Sequence, residues 1–150
     1  MTTVRTAAPG ELDVPVLYAM LRLRVDVFVV EQECPYAELD GRDLDPGTRH
    51  LWTEQAGRLT SYLRLLEDAD GDLRIGRVCT APAHRGRGLA EQLVLAALAV
   101  AGDRPVVLDA QSHLQAWYSR FGFAAAGPEF LEDGIPHVPM RREPQSPHAD

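Results

Sequence analysis

The chain has 150 residues, 45% of them hydrophobic and 25% charged, which suits one folded domain and excludes an intrinsically disordered protein. A formal net charge of -7 argues against a nucleic-acid partner, because phosphate contacts need a basic face. No apolar run reaches the roughly 20 residues of a spanning helix, and the amino terminus lacks the apolar stretch of a signal peptide. We therefore expect a cytoplasmic protein without a membrane partner.

The chain contains two cysteines, Cys34 and Cys79, without a Cys-x-x-Cys pair or histidines at zinc-ligand spacing. We expect reduced thiols and no metal site. We assign residues 1–142 to one domain, and the proline-containing polar stretch 143–150 to a disordered tail.

The first predicted elements are a short strand and an amphipathic helix. Asp13 can cap this helix, and Pro15 fits its first turn. Apolar residues then recur every three or four positions, as expected for one helical face. They are Leu17, Leu21, Val25 and Phe28.

The next segment, 31–46, is acidic and is punctuated by proline and glycine, so it predicts a loop with at most a short helical turn. Its acidic side chains are those of a solvated loop in the simplest interpretation; alternatively, they attract a cation. They are Glu31, Glu33, Glu38, Asp40, Asp43 and Asp45.

Three strands of an antiparallel meander are predicted next. The first two are His50 to Gln55 and Arg58 to Glu67, and the third begins after a turn at 70–72. The third has an irregular pattern, because Leu73 and Ile75 alternate but the next apolar residue is Val78. A β-bulge near Arg77 would absorb the slip; a strand buried on both faces explains the pattern almost as well.

The remaining elements favour a mixed sheet. A buried helix from Gly88 to Ala101 and a strand from Val106 to Ala110 complete a βαβ crossover, so this strand should run parallel to the third strand of the meander. A last helix is predicted from Ser112 to Phe121, and a closing hairpin from Phe123–Ala126 and His137–Arg141.

The segment between the third meander strand and the buried helix predicts an anion site. Gly86 and Gly88 permit tight turns before a helix N-terminus, and Arg85 and Arg87 add positive charge. No Gly-Lys-Ser/Thr follows, and Glu91 stands where a dinucleotide fingerprint has its third glycine. A pyrophosphate is the natural occupant, although by itself the pattern also suits an ordinary glycine-rich turn.

Wider context strengthens this interpretation. The pattern Arg85-x-x-Gly88-x-Ala90 resembles the coenzyme A signature of the GNAT superfamily of N-acetyltransferases, and Tyr118-x-x-x-Gly122-Phe resembles its second element. Gln111 lies where many members carry asparagine. Three further segments are similar to the ElaA-like branch: 28–32, 39–43 and 129–140.

The resemblance implies a single-domain α/β GNAT-like fold, with flanking helices and a mixed central sheet that contains a bulged, splayed strand pair. The pantetheine arm of acetyl-CoA would lie in the gap, and the acetyl group would pass directly to an amine while a strand N–H stabilises the oxyanion. The coenzyme-binding residues that it implies are Val78, Cys79, Thr80, Arg85, Gly86, Arg87, Gly88, Leu89, Ala90 and Gln111.

The resemblance also implies that Tyr118 is the general acid, although its position beside Leu114 and Phe121 on one helical stripe suits a core tyrosine too. Cys79 would flank the coenzyme as a small buried residue. The general base stays open among Glu31, His50, Glu129 and His137.

Our main hypothesis is therefore an acetyl-CoA-dependent N-acetyltransferase that acts on a primary amine of a small molecule or a protein. The acidic segment and the net charge predict a cationic acceptor. One alternative is a coenzyme A-binding sensor without turnover. Another is an acyltransferase of the signal-lactone-synthase type, suggested by the run 27–32. A monomer or a homodimer is expected.

Overall fold

A computed structural model describes residues 2–144, in which eight strands form one mixed sheet with helices packed on both faces. The strands are β1 (Thr2–Ala7), β2 (Arg49–Gln55), β3 (Arg58–Glu67), β4 (Leu73–Thr80), β5 (Val106–Gln111), β6 (Ala124–Ala125), β7 (Phe130–Glu132) and β8 (Ile135–Arg142). The α-helices are α1 (Val14–Arg24), α2 (Leu89–Ala101) and α3 (Gln115–Ser119). Of the predicted tail, 143–144 have no regular structure and 145–150 lie outside the described residues.

The first helix begins as the sequence predicted. The Asp13 carboxylate accepts a hydrogen bond of 2.9 Å from the N–H of Val16, and Pro15 lies in the first turn. Past Arg24 the helix widens into a π-helix, Val25–Glu31. Four valines lie in this segment, and β-branched side chains crowd the preceding turn of an α-helix, which favours the change.

The predicted bulge in the third meander strand is confirmed. Tyr62 of β3 pairs with Cys79 of β4, but Arg64 pairs with Gly76, so β4 holds one extra residue between the two pairs. The backbone of Arg77 has a φ of 56° there. A bulge of this kind interrupts the ladder and bends the strand.

The predicted parallel pairing of β4 with β5 is also confirmed, and it is short. Only Leu73–Val106 and Arg74–Val107 are paired before the two strands diverge. The sheet therefore splits, with the bulge on one side of the opening, which is the splayed pair that the resemblance implied.

The predicted antiparallel pairing of the last two strands is confirmed, since Ala124 and Ala125 of β6 pair with Arg141 and Met140 of β8. The prediction missed β7, which lies between them in the chain and pairs with β8 through a turn at Asp133 and Gly134. Asp133 and Gly134 have φ values of 51° and 77°, as the first and second residues of a tight hairpin turn require. This Asp-Gly pair was the signal that the interpretation overlooked.

Two buried apolar clusters hold the layers together. On one face Ile75 and the inner residues of β2, β3 and β5 pack against α2. On the other face Cys79 and Tyr62 pack against Met20 and Leu23 of α1. Within residues 2–144, no helix is long and apolar enough to cross a membrane.

Candidate active site

The split between β4 and β5 opens into a cleft with a volume of about 910 Å³. Its lining combines the end of β4, the loop before α2, the end of β5, α3 and the hairpin of β7 and β8. The cleft therefore reaches from the predicted anion site on one side of the sheet to the segment after α1 on the other.

The loop before α2 fits an anionic group through its backbone. Gly86 and Gly88 have φ values of 78° and 73°. A Cβ added at Gly86 would meet nothing within 4 Å, so this side of the loop is open. Within residues 2–144, the N–H groups from Gly86 to Glu91 donate no hydrogen bond to the protein. Six consecutive free donors at a helix N-terminus suit a pyrophosphate.

The two arginines of this loop differ in their surroundings. Arg85 donates to both carboxylate oxygens of Glu31 at 2.6 Å, and its Nε donates to the carbonyl of Thr80 at 3.1 Å. Arg87 is exposed and forms no ion pair within the described chain. Its guanidinium is thus available to a ligand, whereas that of Arg85 is held by Glu31.

The predicted strand residues Val78, Thr80 and Gln111 line the cleft. Cys79 also contributes to the lining, but its side chain is 5% exposed and packs in the cluster beside α1. Burial raises the pKa of its thiol far above the usual range, so the sulfur is unreactive at neutral pH. Cys79 is thus a packing residue, as predicted.

Tyr118 lies in α3 and lines the cleft with 6% of its surface exposed. Trp117 and Phe123 contact its ring edge-on, which fixes the side chain. Its hydroxyl makes no hydrogen bond within residues 2–144. Burial raises the pKa of Tyr118 to about 12, so the phenol is protonated at neutral pH. The ring of Tyr118 therefore belongs to the core, as the first interpretation expected. The hydroxyl has no partner within residues 2–144, which is compatible with the second interpretation, a general acid.

Two of the four candidate bases lie outside the cleft. His50 is fully buried, and its ring nitrogens contact the Tyr62 hydroxyl at 2.6 Å and the Asp43 carbonyl at 2.9 Å. Burial lowers the pKa of His50, and no position is left for a substrate proton, so this candidate was wrong. Glu129 accepts a hydrogen bond from Ser112 at 2.8 Å and does not line the cleft.

Glu31 and His137 do line the cleft. The hydrogen bonds from Arg85 lower the pKa of Glu31, which makes this carboxylate a weaker base. His137 is 8% exposed and stacks on Phe130. Its Nδ1 lies 2.7 Å from the carbonyl of Ile135, and because a carbonyl only accepts, Nδ1 must donate. Nε2 is therefore the ring nitrogen left to exchange a proton, it lies 3.6 Å from the Glu132 carboxylate, and His137 is the better-placed of these two candidates.

The expectation of a solvated acidic loop is wrong for half of its acids. The guanidinium of Arg24, fully buried, donates to Glu38 at 2.6 Å and to Asp43 at 2.7 Å. Arg64 donates to Asp43 at 3.0 Å and also holds Asp40. Hydrogen bonds from Arg64 lower the pKa of Asp40, and although burial opposes it, pairing with Arg24 and Arg64 lowers the pKa of Asp43 too. These carboxylates are therefore ionised and neutralised within the protein.

Sequence reasoning missed this network, in which Arg24, Glu38, Asp43 and Arg64 are buried and Asp40 is the exposed member. One signal was present, because Arg24 follows Leu17 by seven positions and so lies on the apolar stripe of the first helix. A buried arginine requires a carboxylate partner, and only acids from elsewhere in the chain could supply it. Among residues 2–144, no group of three or more His, Cys, Asp or Glu side chains is placed to hold a metal ion.

Comparison with known proteins agrees with this geometry. The family model for the acetyltransferase (GNAT) domain matches residues 19–144. A UPF0039 protein of Mycobacterium tuberculosis is 54% identical over 136 residues, which cover 88% of this chain and 87% of that protein. Protein ElaA of Escherichia coli is 45% identical over 141 residues, covering 89% of this chain and 92% of ElaA.

The crystal structure of an acyl-CoA N-acyltransferase from Pseudomonas aeruginosa has the same fold. It is 47% identical, its TM-score is 0.91, and the match covers 95% of this chain and 99% of that one. The fold, the family model and the extent of these matches agree with the resemblance seen in the sequence. This chain belongs to the GNAT family of acyl-CoA-dependent N-acyltransferases, in its ElaA-like branch.

Proposed function

We propose that this enzyme transfers an acetyl group from acetyl-CoA directly to a primary amine. The observation that carries the proposal is the continuity of the cleft, which joins the free N–H groups of 86–91 to Tyr118 and His137. A pyrophosphate on the loop would direct the pantetheine arm along the opening between β4 and β5. Val78, Thr80 and Gln111 line that path.

Acyl transfer needs one proton acceptor and one proton donor. The acceptor amine must lose a proton before its nitrogen attacks the thioester carbon, and Nε2 of His137 can take it when the ring is neutral. As the new C–N bond forms, the C–S bond breaks and its electron pair leaves with sulfur. The Tyr118 hydroxyl then donates a hydrogen bond to the developing thiolate.

The acidity of Tyr118 limits what it can do. Its pKa of about 12 lies above the roughly 8.5 of a thiol, by analogy with cysteine. The phenol therefore stays protonated in the resting enzyme, and its hydrogen bond stabilises charge on the departing sulfur. The second proton of the amine nitrogen is released as the amide forms, and it neutralises the thiolate through this hydroxyl, so that Tyr118 ends protonated again. The bond is strongest in the transition state, which is where it accelerates the reaction.

The acceptor amine is expected to arrive as an ammonium, and the overall charge of -7 favours its approach. The acidic segment gives weaker support than the sequence suggested, because Arg24, Arg64 and Arg77 neutralise three of its acids. A polycation therefore has no concentrated acidic surface to bind there. A cytoplasmic location and a monomeric or homodimeric state remain part of this proposal.

A binding and turnover experiment tests the function. Calorimetry with coenzyme A and acetyl-CoA measures binding, and thiol release in the presence of an amine panel measures transfer. We expect micromolar-range binding and amine-dependent thiol release. Binding without transfer to any amine would favour the sensor alternative. A strong preference for longer acyl-CoA donors would favour the lactone-synthase type, and absence of binding would refute the proposal.

A further inference from the structure

The cleft continues past the bulge on the α1 face of the sheet, and this part has a lining of its own. Arg74 and Gly76 lie on the same face of β4, opposite to Ile75, which packs towards α2. Both residues line the cleft, as does Arg42 from the segment after α1. None of the three belongs to the predicted coenzyme site.

Gly76 leaves space at the floor of this region. A Cβ added there would meet nothing within 4 Å, and the backbone φ is not in the left-handed region. A side chain would therefore fit the folded strand, and β-branched residues are favoured in strands. The absence of a side chain at Gly76 is not required by the backbone, and it keeps room for a bound molecule.

Arg42 and Arg74 present a pair of guanidinium groups beside that space. They bind the two oxygens of one carboxylate, Asp68, at 3.0 and 2.9 Å. Arg74 also donates to Asp109 at 3.3 Å. The two side chains are 36% and 33% exposed, and within residues 2–144 Nη1 of Arg42 and Nη2 of Arg74 donate no hydrogen bond. Each of these two cleft-lining side chains therefore has an Nη atom without a partner among the described residues.

Arg64 supplies a third N–H donor in this part of the cleft. The Nε of Arg64 is buried and has no partner among the described residues, although both Nη atoms of that side chain hold Asp40 and Asp43. Arg64 faces Gly76 across the β3–β4 ladder and also lines the cleft. Buried donors are almost always paired in native proteins, so this surplus points to a ligand with acceptor oxygens.

The local charge limits the class of ligand. Asp68 and Asp109 balance Arg42 and Arg74, so the region has directed donors but no net positive charge. A polyanion would gain little from such a site. A single carboxylate can take a fork of N–H donors, and a nearby ammonium on the same molecule would be tolerated beside Asp109.

We infer that the acetyl acceptor is an amino acid whose carboxylate binds Arg42 and Arg74 above Gly76, with its amino group turned towards the thioester. This rests on the proposed acyltransferase function and names its substrate class. The carboxylate would fix the orientation of the acceptor, so that the nitrogen lies near the reacting carbon.

The test compares amino acids with their carboxamides and with the corresponding amines that lack the carboxylate. With acetyl-CoA as donor, we expect kcat/KM for the best amino acid to exceed that of its amide at least tenfold. Arg42→Gln and Arg74→Gln should each lower kcat/KM for the acid at least tenfold and leave the amide nearly unchanged. Arg104→Gln is the matched control, because Arg104 is 39% exposed and pairs with Glu67 away from the cleft.

A second measurement separates this inference from the function itself. Calorimetric titration of the coenzyme A-saturated protein with the same amino acids needs no turnover. The inference would be overturned, with the acyltransferase function intact, if the protein binds acetyl-CoA but uses acids, amides and polyamines equally. It would also be overturned if amino acids do not bind the coenzyme complex. Failure to bind acetyl-CoA would instead refute the function, and the titration of the protein alone would then decide the amino-acid site.

Discussion

The two ends of the cleft are built in different ways. The proposed coenzyme end consists of consecutive residues, 86–91, whose backbone N–H groups have no partner within residues 2–144, so a short stretch of sequence is enough to predict its chemistry. The proposed acceptor end consists of side chains from separate segments, including Arg42, Arg74 and Arg64, each of which pairs with a carboxylate more than twenty residues away in the chain. On these proposals a motif can indicate the coenzyme, whereas only the folded structure brings together the groups that would select the acceptor.

The largest expected effect is that of Gly88→Val, which tests the proposed coenzyme end of the cleft. Gly88 has a φ of 73° at the start of α2, and a branched side chain there would strain the backbone and cover the free N–H groups. We expect coenzyme A affinity to fall at least 100-fold in calorimetry.

Gly102→Val is the control for Gly88→Val. Gly102 has a φ of 61° at the other end of α2, so a valine there also strains the backbone but leaves the coenzyme loop untouched. Equal loss of affinity in both variants, or unchanged affinity in folded Gly88→Val, would show that the loop is not the coenzyme site.

Tyr118→Phe tests the proposed general acid, which lines the cleft. The ring and its contacts with Trp117 and Phe123 remain, and only the hydroxyl is lost. A positioned acid typically contributes about 10² to 10⁴ in rate, so kcat should fall within that range while coenzyme affinity stays nearly constant. Steady-state kinetics of the folded variant give the answer, and a kcat within about threefold of the parent would refute the role.

Arg24→Met probes the support of the acceptor end. Removal of one partner from a buried ion pair leaves uncompensated charge and typically costs about 3–5 kcal/mol of unfolding free energy. Glu38 and Asp43 would lose their innermost partner, so denaturant unfolding should show a loss of that order.

Arg22→Met is the matched control for Arg24→Met, because Arg22 lies in the same helix with 74% of its side chain exposed and only a 3.9 Å pair with Asp26. It should change stability by less than about 1 kcal/mol. If the two variants are equally stable, the network does not stabilise the fold.

These contrasts show how far the sequence could be interpreted. The helix start at Asp13, the bulge at Arg77 and the parallel return to β5 follow from local pattern, and all three were predicted correctly. The burial of His50 and the pairing of Arg24 depend on which distant segments meet, and periodicity carries no such information. The π-helix and strand β7 fall between these cases, since local signals for both were present but ambiguous.

The smallest expected effect concerns Glu31, which lines the cleft and pairs with Arg85 of the loop before α2. Glu31 and Arg85 are about equally exposed, at 43% and 42%, so their pair adds little to stability, as is usual for surface ion pairs. It competes, however, with any phosphate for the same guanidinium, because both Nη atoms of Arg85 are committed to the carboxylate. Surface pairs are worth up to about 1 kcal/mol, so Glu31→Gln should tighten coenzyme A binding by no more than about fivefold. Glu33→Gln, two residues after Glu31 and at a side chain without an ion pair in residues 2–144, should leave affinity unchanged. Weaker binding in Glu31→Gln would mean that the pair holds Arg85 in its binding position, and the coenzyme end would then also depend on a distant side chain.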